Sequence, residues 1–361
     1  MTARRGLKKI VRGRMARTGE TYSTALRAVA RPTIRHRESA LVGFLLEDAG
    51  LDLSEPMVCG LGGGIGFMYA VFEYDAIPHP LLTIVMQHHP RPWAAAVFDR
   101  LGVPFEEGHS ASPKTARAAL LAEDRPTLCT VDRRALPWRH DIPDYGAADP
   151  HTVVVAARAG ETLTILDPPY GEKALGVEDF TAAWAAHRKG RFHRVTLPPV
   201  SDVDLDAAAR DAVGLTVAHL TGPVLGNSFD VNFGFSGMAK LAGELRDTRT
   251  RKGWAKRFGT PEGRAHAMRR LVECVEKEYT APGGTRPIYA DFLDEALPPG
   301  ASGASGVAGS IRAAGERWSV LARSATTDGD LRGWCDQAAD LVDEAVALEK
   351  RAVEALSAGG R

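Results

Sequence analysis

The sequence predicts an α+β domain followed by a mostly α-helical one, and three observations carry that reading. From Leu81 to Leu197, apolar runs of strand length alternate with stretches of helical spacing. Pro198-Pro199 then marks a change of texture. From Asp204 onward Ala, Leu, Arg, Glu and Asp recur at helical spacing, interrupted by glycines near 226, 283 and 303. The expected division is a basic helical arm over 1–32, an α+β domain over 33–200 and a helical domain over 201–361.

Taken in order, the arm carries Leu7, Ile10, Val11, Met15, Tyr22, Leu26 and Val29. That spacing suits one or two short amphipathic helices broken near Thr18-Gly19 and ended by Pro32. A helix is expected from Glu38 to Ala49, with Leu41, Leu45 and Leu46 inward and Gly50 as its stop. Next comes Cys59-Gly-Leu-Gly-Gly-Gly-Ile-Gly-Phe-Met-Tyr69. It superficially suggests a dinucleotide fingerprint, but no buried strand leads into it, Pro56 breaks the preceding run, and no Lys-Ser/Thr follows. The stretch reads as a close-packed turn or loop under a substrate. Strands are expected at Leu81–Met86, Thr127–Val131, Thr152–Val155, Leu163–Leu166 and Phe192–Leu197. Helices are expected at Pro92–Leu101, Pro113–Ala122 and Val177–His187. Gly300–Gly309 reads as a flexible loop, and no internal repeat is visible.

Composition excludes several classes. The 44% hydrophobic and 25% charged fractions are those of a soluble globular chain. Residues 1–35 hold ten Lys or Arg against the single acid Glu20, leaving a remainder of 35 basic and 44 acidic residues at net −9. With almost no aromatic interleaving the arm suits an electrostatic contact more than base readout: an acidic carrier protein fits it, as do the chain's own body and a nucleic acid, the last being the less expected partner. Cys59, Cys129, Cys274 and Cys335 form no CxxC or CxxH, which argues against a disulfide framework or structural zinc. Gln87-His88-His89-Pro90 puts adjacent imidazoles on opposite sides of a strand, and His109 and His140 fall in loops without readable partners, so no metal is expected. No apolar stretch approaches the roughly 18–20 residues of a membrane span, and no signal peptide follows the basic N-terminus, so a cytoplasmic protein is expected. Oligomeric state is not readable.

The chemistry centres on His151-Thr-Val-Val-Val-Ala-Ala-Arg-Ala-Gly-Glu-Thr-Leu-Thr-Ile-Leu-Asp167, two β-rich runs around a glycine turn. A three-residue loop Arg158-Ala159-Gly160 would put Gly160 at the left-handed position and His151 directly across from Asp167. A two-residue loop would shift the register by one and turn them to opposite faces. A carboxylate on one imidazole nitrogen fixes the tautomer and leaves the other as a general base. A structural His–Asp pair at a strand end is the competing reading.

Four stretches resemble the butirosin biosynthesis protein H family: His36-Arg-Glu-Ser-Ala-Leu41, Leu53-Ser-Glu-Pro-Met-Val-Cys-Gly-Leu-Gly-Gly-Gly-Ile-Gly-Phe67, Thr130-Val-Asp132 and the hairpin. Gly283-Gly-Thr-Arg-Pro-Ile-Tyr289-Ala-Asp291 resembles a signature of that family's second domain. The resemblance implies a papain-like, cysteine-peptidase-type N-terminal domain. The implied activity is transfer of an acyl group from a carrier-protein thioester to an amine in natural-product or antibiotic biosynthesis. The only cofactor implied is phosphopantetheine on the partner. His151 and Asp167 match the family's base and its orienter. Arg37, Glu38, Glu55, Cys59, Asp132, Arg286 and Tyr289 are the candidate substrate-contacting residues. Arg286, near the positive end of a helix, suits a carboxylate or phosphopantetheine phosphate, or an interdomain ion pair with an acid such as Asp291.

One departure changes the chemistry. The family reads His-Cys where this chain reads His36-Arg37, and that cysteine is the nucleophile at a helix N-terminus. A guanidinium offers no lone pair. Ser39 lies about 200° further round the helix and points away, whereas Cys59 could approach through a mobile loop. The third route needs no covalent intermediate: a bound amine or thiol attacks an already activated thioester, with His151 as base and Arg37 as anion clamp or oxyanion stabiliser. An acyltransferase or cyclase of this kind is therefore expected. The alternatives are a degenerate papain-like binding module for a carrier protein or small ligand, and a hydrolase using Cys59.

Overall fold

The computed structural model describes residues 34–75, 77–87, 92–139, 150–278, 280–297 and 304–359. The basic arm, His88, His89 and His140 lie outside the described residues. Helix α1 (Arg37–Asp48) begins at its cap His36, whose ring accepts from the Ser39 amide, and it buries Leu41, Val42, Leu45 and Leu46. Gly50, at φ 101, follows its end.

The glycine-rich stretch forms the end of a short helix and a close-packed turn. Ser54 caps a short helix α2 (Glu55–Leu61) by accepting from the Met57 amide, with Pro56 in the first turn. Proline is harmless there because that N–H has no helical partner, so Pro56 opens a helix where it was expected to break a run. Gly63 and Gly64 turn the chain at positive φ, and strand β1 (Ile65–Phe72) leaves directly. A Cβ on Gly60, Gly62 or Gly64 would come within about 2.3 Å of the Phe292, Trp93 and Tyr289 rings respectively. The glycines serve close packing.

Strand β1 pairs antiparallel with β2 (Leu81–Gln87) in a separate two-stranded ribbon. The chain continues through α3 (Trp93–Leu101), β3 (Glu106–Gly108), α4 (Pro113–Ala122) and β4 (Thr127–Asp132). Then come β5 (Pro150–Ala159), β6 (Thr162–Leu166), β7 (Glu172–Gly176), α5 (Val177–Ala186) and β8 (Arg194–Thr196). These strands form one six-stranded antiparallel sheet in the order β3-β8-β4-β5-β6-β7. Alternation divides β4, β5 and β6 between two cores. Cys129, Val131, Val153, Val155, Leu163 and Ile165 pack with Phe180 and Trp184 of α5. Leu128, Val154, Leu166 and Val195 join the larger core of α1, α2, the ribbon and the later helices.

Those helices are α6 (Leu205–Thr221), α7 (Gly234–Arg246), α8 (Trp254–Arg257), α9 (Pro261–Glu276), α10 (Arg286–Ala296), α11 (Ala304–Arg323) and α12 (Leu331–Gly359). Helix α11 takes in residues 304–309, where the sequence suggested a flexible loop; Val307, Ala308 and Ile311 anchor one face in the core. No helix among the described residues is long and apolar enough to cross a membrane.

Arg286 is fully buried. Its Nε and Nη2 donate to the Glu349 carboxylate at 2.9 and 3.1 Å, and its other donations go to the carbonyls of Met86 (2.6 Å), Gly284 (2.8 Å) and Gly66 (3.0 Å). Asp291, the suggested partner, instead accepts from Arg312. Tyr289 is equally buried, its ring against Gly64. Neither side chain reaches a surface where substrate could meet it, which corrects their assignment as substrate contacts.

Candidate active site

The hairpin forms between β5 and β6, but in another register. The turn is Gly160-Glu161, with Gly160 at φ 61, so Ala159 pairs with Thr162 rather than the turn being three residues long. A two-residue turn alone would have put His151 and Asp167 on opposite faces. A bulge between Val155 and Ala157 takes up the extra residue, and beyond it Val154 pairs with Leu166. Parity is thereby restored, and His151 reaches Asp167 diagonally: Nε2 donates to Oδ1 at 2.8 Å.

Asp167 is completely buried and gathers donors from three directions. His151 Nε2 and Arg37 Nη2 (3.2 Å) meet Oδ1; Trp138 Nε1 (2.8 Å) meets Oδ2, with Arg139 Nη1 3.7 Å away. Burial would raise this carboxyl's pKa, but the hydrogen bond and charge of His151, then Arg37 and Trp138, hold it well below the usual carboxylate range. For His151 the direction is also downward: burial first, then the Arg37 cation, outweigh the attraction of Asp167. An ionised aspartate beside a neutral imidazole assigns the proton to Nε2, because Asp167 can only accept. Every hydrogen-bonding contact of the ring converges on Nε2, and among the described residues none engages Nδ1.

Arg37 opens α1 and fills the space in front of this pair. Its Nη1 donates to Glu38 Oε1 (2.8 Å) and Thr152 Oγ1 (3.0 Å), while Nη2 lies 3.0 Å from His151 Nε2 and donates to Asp167. Its Nε–H is buried without an acceptor. Glu38 also accepts from Thr152 Oγ1 at 2.8 Å, and its pKa falls because Arg37 and Thr152 outweigh burial. Glu55 acts one step back: its carboxylate accepts from the His36 backbone amide at 2.7 Å, fixing the entry to α1. The His36 ring is buried between Ser39 Oγ (2.6 Å), Gln87 Oε1 (2.7 Å) and the edge of Trp93. Ser39 is thus engaged with His36 and turned away from His151.

The remaining candidates divide. Asp132 ends β4 one residue past Val131, the direct neighbour of His151, and its carboxylate accepts from the Arg134 backbone and side chain. It caps the turn after β4 at the rim of the site. Cys59 sits in α2, fully buried with Ala281 and Ile288 and not on a loop, which disfavours the alternative in which it approaches the site through one. None of the four cysteines forms a disulfide, and all are buried. Thr152, Trp138 and Arg139 were missed as site residues. Thr152 follows His151 in the strand and could have been suspected from position; Trp138 and Arg139 come from irregular backbone with no periodic signal.

His36 and His151 both have folded pKa values below the unfolded reference of about 6.5. Below that reference the unfolded chain binds protons that the folded chain refuses, so stability is fully present above it and lost as pH falls. The urea midpoint is expected to drop between pH 7 and pH 5, and His36→Gln should flatten the dependence. A midpoint constant over that range would show these rings are not held neutral.

A family profile described as butirosin biosynthesis protein H, N-terminal, matches residues 36–168, spanning α1 through Asp167. A second, for the domain of unknown function DUF4872, matches residues 179–356. No curated protein matches the chain.

Proposed function

Because the chain belongs to the butirosin biosynthesis protein H family, a link to biosynthesis, we propose that it transfers or cyclises a thioester-activated acyl group without an acyl-enzyme intermediate. The observation that carries the reading is the His151–Asp167 pair with Nδ1 left unengaged and a guanidinium where a nucleophile would stand. A papain-like ancestry of the N-terminal half belongs to the same proposal.

His151 Nδ1 takes a proton from the attacking amine as nitrogen bonds to the thioester carbon. The oxyanion of the tetrahedral intermediate is met by the Arg37 cation, whose buried Nε–H lacks an acceptor, and by the amide end of α1. Collapse re-forms the carbonyl and breaks the C–S bond, and the departing sulfur takes the proton from the imidazolium. Asp167 keeps the ring's tautomer and stabilises its transient charge. The acyl donor is a carrier protein bearing phosphopantetheine, the acceptor a small-molecule amine or an amine on the acyl chain itself.

A second reading, a binding module without chemistry, is favoured by the same guanidinium, since its simultaneous contacts with Glu38, Thr152, His151 and Asp167 occupy the site. One experiment separates them: incubate the full chain with an acyl-pantetheine thioester and an amine, and follow product and intact mass. Amide formation with no protein adduct is expected, with kcat/KM falling about 10²–10⁴-fold in His151→Ala and unchanged in Cys59→Ala. A stable adduct on Cys59 or Ser39 overturns direct attack, and binding without turnover selects the module.

A further inference from the structure

Away from the His151 site, the opposite edge of the sheet brings together two imidazoles and a carboxylate that the proposed chemistry does not use. Glu107 lies on the edge strand β3, His109 just beyond its end, and His193 immediately before β8, the strand paired with β3. One potential ligand atom from each lies within 4.8 Å of the other two. The imidazole centroids are 5.2 Å apart, and His193 Nε2 is 2.8 Å from Glu107 Oε1.

The second nitrogen of each ring has its own partner. His109 Nδ1 is 3.2 Å from the Gly190 carbonyl, which can only accept, so the proton sits on Nδ1 and the lone pair on Nε2. Glu107 can only accept, so His193 Nε2 donates to it; an ion displacing that proton would shift it to Nδ1, 3.2 Å from Thr130 Oγ1, a hydroxyl able to accept it. His109 thus has, and His193 would take on with an ion bound, the outer-shell arrangement of metal-bound histidines, in which the far N–H is tied to a carbonyl or other oxygen and the near nitrogen faces the ion. The backbone reinforces it. Arg191 and Phe192 are consecutive non-glycine residues at positive φ (49 and 55), a twist that delivers His193 to the start of β8, where Thr130 N donates to His193 O. A surface ion pair between His193 and Glu107 alone would require neither His109 nor the oriented outer nitrogens.

We propose that Glu107, His109 and His193 bind a borderline divalent transition-metal ion such as zinc. Two imidazoles and one carboxylate select such an ion over magnesium or calcium, which prefer oxygen donors throughout. Three protein ligands on an exposed edge leave a fourth position for water or an external donor. Coordination at about 2.0–2.1 Å needs only a small convergence of the Glu107 and His109 side chains, both exposed. The ion would clamp β3 to the Arg188–His193 turn. It is independent of the acyl-transfer reading.

The test is a titration of the chelator-treated full chain with zinc by calorimetry and with cobalt(II) by visible absorption. A single equivalent is expected, with a d–d spectrum of low coordination number. Both His109→Gln and His193→Gln should lose the spectrum and weaken zinc binding at least about 10-fold, the lower bound for outer-shell loss. His109 is exposed, so its variant keeps the fold intact, checked by circular dichroism. Thr130→Val should weaken binding about 10–100-fold while leaving the spectrum's form. No binding by the native chain, or native affinity retained in both histidine variants, overturns the site.

Discussion

Arg286→Ala is expected to destabilise the protein by about 3–5 kcal/mol, the typical cost of breaking a buried ion pair by removing one partner. The substitution strands the Glu349 carboxylate, itself fully buried, leaving it only the Trp318 indole N–H at 2.9 Å among the described residues. It also removes a donor from the Gly66, Met86 and Gly284 carbonyls, which lie on or beside β1, β2 and α10. Urea denaturation at pH 7 reads it as a lower midpoint with unchanged slope. The paired change Arg286→Met with Glu349→Leu removes both charges and should recover part of the loss, though the three carbonyls still lack the arginine's donation. A shift below about 1 kcal/mol for Arg286→Ala would be no more than an exposed pair gives, and would mean that the pair is hydrated.

That arginine also shows where sequence reading stops. A lone Arg near a helix start is equally consistent with an anion site and an ion pair, and its partner Glu349 lies on another helix 63 residues away. Nothing local to 286 marks which. The glycine stretch shows the same limit: it forms the close-packed turn expected of it, but its glycines answer to Phe292, Tyr289 and Trp93, whose approach is set by tertiary packing. Strands β4 to β6 and helices α3 to α5 were legible because their apolar periodicity is local and matches the two cores they face. The hairpin's existence followed from its composition. Its register did not, since it depends on a turn one residue shorter than expected and a bulge at a stretch of undistinguished valines and alanines. The two errors cancel in parity, so the right pair of residues met by a different route. The Arg37 contacts were not legible at all: sequence says that a thiol is missing, but only geometry says that the guanidinium turns back onto both His151 and Asp167.

Arg37→Cys should therefore do more than restore a residue type. The thiol would stand at the start of α1, where the helix's amide end favours negative charge, and before a ring whose Nδ1 is unengaged. Removing the guanidinium also removes the cation that, after burial, contributes most to lowering the His151 pKa. The imidazole becomes easier to protonate while Asp167, still held by Trp138 and Arg139, remains its counter-ion. Those changes favour a thiolate–imidazolium pair, which would move the thiol from about 8.5 into the range of about 3.5–7.5 found for activated cysteines. At pH 7 the thiolate fraction would rise from a few per cent to a sizeable share, on the order of tenfold or more. Alkylation by iodoacetamide, followed against pH, measures this directly, and the four native cysteines are buried and should not contribute at the same rate. With an acyl-pantetheine thioester the variant should also accumulate an acyl adduct that the native chain does not form, and His151→Ala in the same background should abolish both effects. An introduced thiol that titrates near the unperturbed value of about 8.5, with no adduct, would mean that His151 does not face position 37 as a base. The direct-attack mechanism proposed for the native chain would fall with it, because both depend on the same unengaged nitrogen.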